Sequence, residues 1–344
     1  MPGYIKPPSN QYIYSSSTVD GARIMTAASE YGFRNKVING DFSIWQRGTS
    51  FNISSNSNTF CADRWQIQSQ GGTAVASQQT FTPGILSGIE TSYYLRLVQS
   101  VGTANTLIIN RLEDVRTLAG QSITVSYWAK ASASTTITAR FDQDFGSGGS
   151  SRAANGGNSN TITTSWARYS STFTVASING KTIGSSSYVE FFLYYPNTAG
   201  ITVELAGVQL EAGTFATSFE QRPQQIELSM CQRYYWRISG ATNPNVGLST
   251  VAFNGGTAPG VRRANVPLPV SMRVRPTVSF SGSHAIYTVG LSNLILSSIN
   301  SSISSNNFIS LDLNTSTAGT AGQSGWWIID TSSASDYLEA SAEL

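Results

Sequence analysis

Short runs that alternate apolar and polar residues dominate the chain from about residue 35 to residue 221. They include RWQIQSQ (64–70), SYYLRLVQS (92–100), TLIINRLE (106–113), SITVSYWAKA (122–131), TITARFDQ (136–143), WARYSSTFTV (166–175), YVEFFLYY (188–195) and ITVELAGVQLE (201–211). A period of two sends alternate side chains to opposite faces of a strand, the pattern of half-buried antiparallel sheets. Clusters of Gly, Ser and Asn separate the runs, as turns require. This number of strands predicts a jelly-roll β-sandwich. Residues 145–165 (FGSGGSSRAANGGNSNTITTS) carry no apolar pattern and read as a long exposed loop or flexible hairpin. The stretch NGDFSIWQRGTSF (39–51) reads as the opening strand: Asn39-Gly40 makes a turn, Phe42, Ile44 and Phe51 favour burial, and Trp45 and Arg47 close a corner.

One segment has a different period. From Pro223, Ile226, Met230 and Tyr234 recur at helical spacing, with Leu228, Cys231 and Tyr235 on the adjacent stripe. Pro223 suits a first helical turn. Apolar residues on more than one face predict a helix buried on two sides, one against the sandwich and one against a partner or its own copies. Beyond it strands resume at 246–254, 262–272, 277–282, 284–290, 306–314 and 325–333, with the polar SSINSSISSNN (297–307) as a linker or loop. At the other end, Pro2, Pro7 and Pro8 favour an extended start, and DGARIMTAASEYG (20–32) could form a short capped helix. The expectation is an all-β chain of four parts. An extended arm (1–34) precedes a jelly roll (35–221), a buried connecting helix (222–239) and a smaller C-terminal β-sandwich (240–344).

Composition narrows the function. Only 12% of the residues are charged and the net charge is +2, so no basic face suited to nucleic acid is expected. Aromatic residues make up 11% of the chain, enough with the aliphatics for a real core. Cys61 and Cys231 form no CxxC motif and read as buried reduced thiols. The N-terminus lacks the apolar stretch of a signal peptide, and no run is long enough to span a membrane. Synthesis in a cytosol is expected, with any departure by a route that needs no signal.

The single histidine, His284, leaves no room for a Ser-His-Asp triad or a His-rich metal site. No P-loop, GxGxxG, HExxH or GxSxG motif is present. Asp142 and Asp144 share a face of an extended RFDQDFG and are the one carboxylate pair that could run glycoside hydrolysis, though a strand end beside a flexible loop reads more simply as a solvated mouth. Asn39, Asp41 and Glu211, at the start and end of the sandwich, could hold a structural Ca²⁺; equally, the two acids could tie down strand ends or pair with Arg47, Arg64 or Arg222. Trp45, Trp65 and Trp128 read as core. Trp166, Trp326 and Trp327 are the candidates for stacking on sugar rings, and because the last two are adjacent in a strand they point to opposite faces.

VINGDFSIWQRGTSF, CADRWQI, SITVSYWAKA, VQLEAGTFATSFEQRP and IELSMCQRYYWR, in this order over residues 37–237, resemble the sandwich domain and following helix of bacteriophage tail fibre and receptor-binding proteins. The resemblance implies a jelly roll similar to carbohydrate-binding modules, a trimeric fibre and a place in the virion. It also implies a structural calcium near the first and last strands, which falls by position on Asn39, Asp41 and Glu211. Under it, residues 1–34 anchor the chain to other tail proteins, and Ile226, Met230 and Tyr234 lie near a three-fold axis. The C-terminal domain then binds a host-surface polysaccharide without chemistry. The alternatives are a capsid- or tail-decorating assembly protein and a polysaccharide depolymerase.

Overall fold

The computed structural model describes residues 33–101, 105–195, 198–240, 247–252, 261–288, 294–301, 304–315, 324–329 and 335–344. The segment expected to form the N-terminal arm, with its short helix, lies up to residue 32 outside them, as do residues 246, 253–254, 289–290 and 330–333 of the predicted C-terminal strands.

The alternating runs form two six-stranded antiparallel sheets. With strands numbered along the chain, one sheet has β1 (Ser50–Ile53), β4 (Thr73–Thr80), β5 (Tyr93–Val101), β12 (Thr202–Ala212), β7 (Ser122–Ala131) and β10 (Ala167–Thr174) in that spatial order. The other has β2 (Asn58–Phe60), β3 (Trp65–Ser69), β6 (Thr106–Glu113), β11 (Tyr188–Tyr195), β8 (Thr135–Asp144) and β9 (Ala153–Ile162). The crossovers between the sheets are those of a jelly roll. Their inner faces bury one core that includes Trp65, Leu95, Leu97, Val125, Tyr127, Phe141, Phe191 and Leu205. Cys61 and Cys231 are buried free thiols, and burial pushes the Cys61 thiol up to about 12.

Three expectations are narrowed or corrected here. Residues 153–162 are not loop: of the two forms expected they take the hairpin, as strand β9 paired along β8 from Thr135↔Ile162 to Gln143↔Ala153. An edge strand needs only its backbone to pair, so this polar, Gly-rich sequence suffices. The opening stretch is not a strand before Ser50. Asn39 and Phe42 sit at φ +59 and +55, folding residues 39–49 into an irregular hook that buries Phe42 and Ile44. The hook is held against β12 by Val208 N donating to Gly40 O (2.8 Å). A Cβ on Gly40 would stand 2.1 Å from Val208 O, so only glycine permits this approach. Third, the helix is shorter than its periodicity suggests. α1 spans Gln224–Gln232, buries Glu227 and Cys231 on one face, and leaves Ile226 40% exposed.

The chain leaves α1 into a second unit of two sheets around one core. A three-stranded sheet has β13 (Tyr235–Ser239), β21 (Tyr337–Ser341) and β16 (Thr277–Ser281). A six-stranded sheet has β14 (Gly247–Ala252), β20 (Ser324–Ile329), β17 (His284–Tyr287), β18 (Leu294–Ser301), β19 (Phe308–Thr315) and β15 (Val261–Pro267). β18 corrects the expected linker: Ser297 to Ser301 belong to a paired strand. Asn265 N donates to Ser249 Oγ (3.2 Å), which draws β15 toward β14 and curls the sheet.

The two units interlock through arginines. Arg47 and Arg64 of the jelly roll both pair with Glu343, Arg47 at 3.0 Å. Their guanidinium groups lie 3.4 Å from the ring centre of Tyr235 and 3.5 Å from that of Tyr234. Arg233 makes a two-pronged pair with Glu113 (2.8 and 2.9 Å).

Candidate functional site

The outer face of the first sheet carries a row of side chains across adjacent strands. Arg96 on β5 lies opposite Glu204 on β12, and Glu204 lies opposite Lys130 on β7. Ser77 on β4 extends the row beyond Arg96. These positions point outward because Leu95, Leu97, Val203, Leu205, Ala129 and Ala131, their neighbours in each strand, point into the core. Glu204 is buried, and it accepts from Arg96 Nε (2.7 Å) and faces Lys130 Nζ at 2.8 Å. Burial works against the charge of Arg96, but hydrogen bonding to Glu204 and the attraction of its carboxylate outweigh it, so the pKa of Arg96 moves up.

An aromatic wall flanks this row. Trp166, just before β10, packs edge-on against Tyr94 (5.5 Å between ring centres) and against Phe81 (5.1 Å), and Lys130 Nζ lies 5.6 Å from its ring. The loop after β4 covers one end of the face, where Leu86 and Ile89 bury Trp128 and Ala206. A bulge in β12 makes room for that cover. Gly207 sits there at φ +55, and a Cβ would meet Ile89 and Trp128 at 2.8 Å. The other end stays open as a shallow cleft of about 450 Å³ bounded by Arg96, Lys130, Ser132, Thr164, Thr202 and Glu204. That size falls within the range of small-ligand sites. Its charged hydrogen-bonding groups and hydroxyl rims, with the half-buried Trp166 beside Lys130, can hold the hydroxyl edge and the apolar face of a sugar together.

The expected sugar-stacking tryptophans separate. Trp166 stands beside this cleft, its ring 5.6 Å from Nζ of the lining residue Lys130. Trp326 is 47% exposed and stands beside its cross-strand partner Tyr287, ring centres 6.1 Å apart and planes within 14°. Trp327 is fully buried in the core of the second unit, packed near His284, and is corrected to a structural residue. Its opposite orientation follows from strand alternation. Burial lowers the pKa of His284, whose Nε2 lies 3.0 Å from Ser281 O.

Asn39, Asp41 and Glu211 do not converge on one donor set. Asn39 Nδ2 donates to Ile44 O and Asp63 O, and its Oδ1 accepts from Ile44 N, so the side chain closes the hook. Glu211, on β12, accepts from Gln209 Nε2, Thr217 N and Thr217 Oγ1. Asp41 accepts from Ser43 and lines a separate polar cleft with Tyr93, Arg222 and Glu227. Among the described residues no three His, Cys, Asp or Glu side chains cluster as metal ligands. Tyr234, expected on the helix with Ile226 and Met230, lies beyond its end and is buried beneath Arg64, so it cannot face a symmetry axis. Ile226 is exposed and Met230 half-buried.

Asp142 is buried between Arg140 (2.9 Å) and Arg152 (3.0 Å), and Asp144 accepts from Gly146 N. Arg152 also pairs with Glu190, making a charge ladder across β8 and β11.

The row of Arg96, Glu204 and Lys130 escaped the sequence reading. Its signal was present: LRLV, SYWAKA and TVELAG each place one charge mid-strand in an apolar run. Only the register shows that the three charges meet.

No protein-family model matches the chain, and no curated protein matches it by sequence. Among solved structures, the enzymatically active domain of tailspike protein 4 from bacteriophage CBA120 is similar at 14% identity and a TM-score of 0.34, over 52% of this chain and 22% of that one. A family 11 carbohydrate-binding module from Clostridium thermocellum, solved with a mixed-linked tetrasaccharide, is similar at 12% identity and a TM-score of 0.31, over 49% of this chain and 98% of that one. The N-terminal cellulose-binding domain of a Cellulomonas fimi glucanase is similar at 19% identity and a TM-score of 0.28, over 39% of this chain and 88% of that one. This chain therefore spans under a quarter of the tailspike structure and most of the two binding modules.

Proposed function

We propose that this chain is a non-catalytic glycan-binding protein of a phage virion, a tail fibre or tail-tip adhesin that grips a host-surface polysaccharide. The observation that carries the binding role is the cleft on the outer face of the first sheet, walled by Arg96, Glu204 and Lys130, with Trp166 beside Lys130. Trp166 supplies a flat apolar surface for one face of a pyranose, and the charged row supplies hydrogen bonds to its hydroxyls. The exposed pair Trp326 and Tyr287 adds a second aromatic surface on the C-terminal unit. The ion pairs that hold Asp142, and the hydrogen bond that Asp144 accepts from Gly146, favour structural over catalytic roles for these carboxylates.

The virion role rests on the tail-fibre resemblance of residues 37–237. On this reading the arm leaves the sandwich at Phe33 to Asn35, beside Ser218 and Glu220, and anchors to a tail protein. The exposed face of α1, with Ile226 and Met230, packs against two other copies to form a homotrimer. Three weak glycan sites on one fibre then act together by avidity.

The test is binding of the purified chain to polysaccharides extracted from candidate host cells, with Trp166→Ala beside it. Loss of stacking is expected to weaken binding about tenfold, a difference of about 1.4 kcal/mol. Equal binding by Trp166→Ala and the parent would remove the cleft from the proposal. Light scattering is expected to give three times the 36.8 kDa chain mass; a monomer would refute the self-contained trimer.

A further inference from the structure

The balance of charge in the cleft is uneven. Glu204 is a single buried carboxylate, and it is matched by two cations. One would compensate it. The second leaves a net positive charge, and the Arg96 and Lys130 side chains that carry it are 36% and 35% exposed, on the solvent side of Glu204. Val98, Ala131, Ser132, Thr164 and Thr202, which complete the walls, are uncharged. Arg96 is held in place by Glu204 and by Tyr94 Oη (3.2 Å from Nη2), so its planar fork is presented in a fixed orientation. Lys130 Nζ pairs with Glu204 Oε2 at 2.8 Å by charge, without hydrogen-bond geometry, which leaves its N–H donors for a second anion. Positive charge focused in a concave site raises the local concentration of anions, and both side chains prefer carboxylate partners.

We infer that the cleft selects acidic polysaccharide, with the carboxylate of a uronic acid residue held between Arg96 and Lys130 while the neighbouring sugar lies against Trp166. This rests on the reading of the cleft as a glycan site and specifies the class of glycan. Glu204 is the positioning residue: it keeps the two cations at a common level across β5, β12 and β7 and limits their mutual repulsion.

The experiment uses the full chain and three polyuronates (polygalacturonate, alginate and polyglucuronate), each beside its carboxyl-reduced neutral counterpart, by affinity electrophoresis and calorimetry. At least one polyuronate is expected to bind tenfold or more tightly than its reduced form, with the advantage shrinking as salt rises. Lys130→Gln should abolish the preference, weakening binding of the acid form tenfold or more beyond any loss for the neutral form. Lys130→Arg should retain it. Lys181→Gln, an exposed cation elsewhere, should have no effect. Equal binding of all acid and reduced pairs would overturn the inference while leaving a neutral-glycan cleft in place. Preference for acid polymers that survives Lys130→Gln and Arg96→Gln would place the anion elsewhere and overturn it too. Failure of every polymer to bind would take the glycan reading down with it.

Discussion

Replacing Arg64 by Ala tests whether the two units are held together by buried charge. Arg64 is buried, pairs with Glu343, donates to Arg111 O, and covers the ring of Tyr234 at 3.5 Å. Truncation leaves the Glu343 carboxylate with Arg47 alone, at 3.0 Å. Removing one partner of a buried pair costs about 3–5 kcal/mol, and the lost cation–π contact about 1 kcal/mol more. Because Arg47 remains, the expected total lies at the low end, about 4 kcal/mol. A second variant separates side chain from backbone. Arg64 sits at φ +70, where Gly is at ease and Ala is not, so Arg64→Gly should be about 1 kcal/mol less damaging than Arg64→Ala. The assay is urea unfolding followed by tryptophan fluorescence, which reports Trp65 in one core and Trp327 in the other. The parent should unfold in one transition and Arg64→Ala in two, the C-terminal unit first. Adding Glu343→Gln to Arg64→Ala should cost much less than Glu343→Gln alone. An unchanged midpoint for Arg64→Ala, or strict additivity with Glu343→Gln, would refute the interlock.

Asp63 gives a pH signature at the same junction. Burial raises it from 3.8 to about 6, against the pull of Arg47 and hydrogen bonds from Gln46. The folded state therefore favours the neutral acid: this contribution is full below pH 3.8 and is lost as pH rises through 6. Relative to Asp63→Asn, the parent should lose about 2 kcal/mol between pH 4 and pH 7, read from urea midpoints at each pH. Gly40→Ala should destabilise by about 1–3 kcal/mol through overpacking against Val208 O, and amide exchange should show the hook detached from β12. The double substitution Ile226→Asp, Met230→Asp should give a folded monomer by light scattering; a persistent trimer would exclude the exposed face of α1 as its interface.

Strands whose apolar residues meet the core were legible because alternation is enforced by burial. β6, β7, β11 and β12 lie within their expected bounds to a residue or so. β9 was legible only as loop or hairpin because most of its side chains face solvent and its pairing with β8 is made by backbone. The helix was read too long because Tyr234 and Tyr235 continue its spacing by coincidence. Both are buried under arginines from the other unit, a tertiary contact that no local pattern encodes. The adjacent Trp326 and Trp327 were legible as one inward and one outward, since strand geometry requires it, though not which was which. The candidate site was half legible. Trp166 stood out by type, but the charges beside it come from three strands far apart in sequence, and register brought them together.

The pairing of β13 with β21 has a consequence for synthesis. Tyr235 finds Ser341, and Ser239 finds Tyr337, so β13 leaves the ribosome about 100 residues before the strand that completes it. At ordinary elongation rates the interval is on the order of ten seconds. During it, Trp236 and Ile238 have no sheet to pack into, and both edges of β13 are unpaired. The jelly roll can close in that time, because its last strand, β12, precedes α1. The nascent chain thus passes through a state with one finished unit and one open strand. In that state a chaperone, or the same strand on a neighbouring polysome, competes for the place β21 will take.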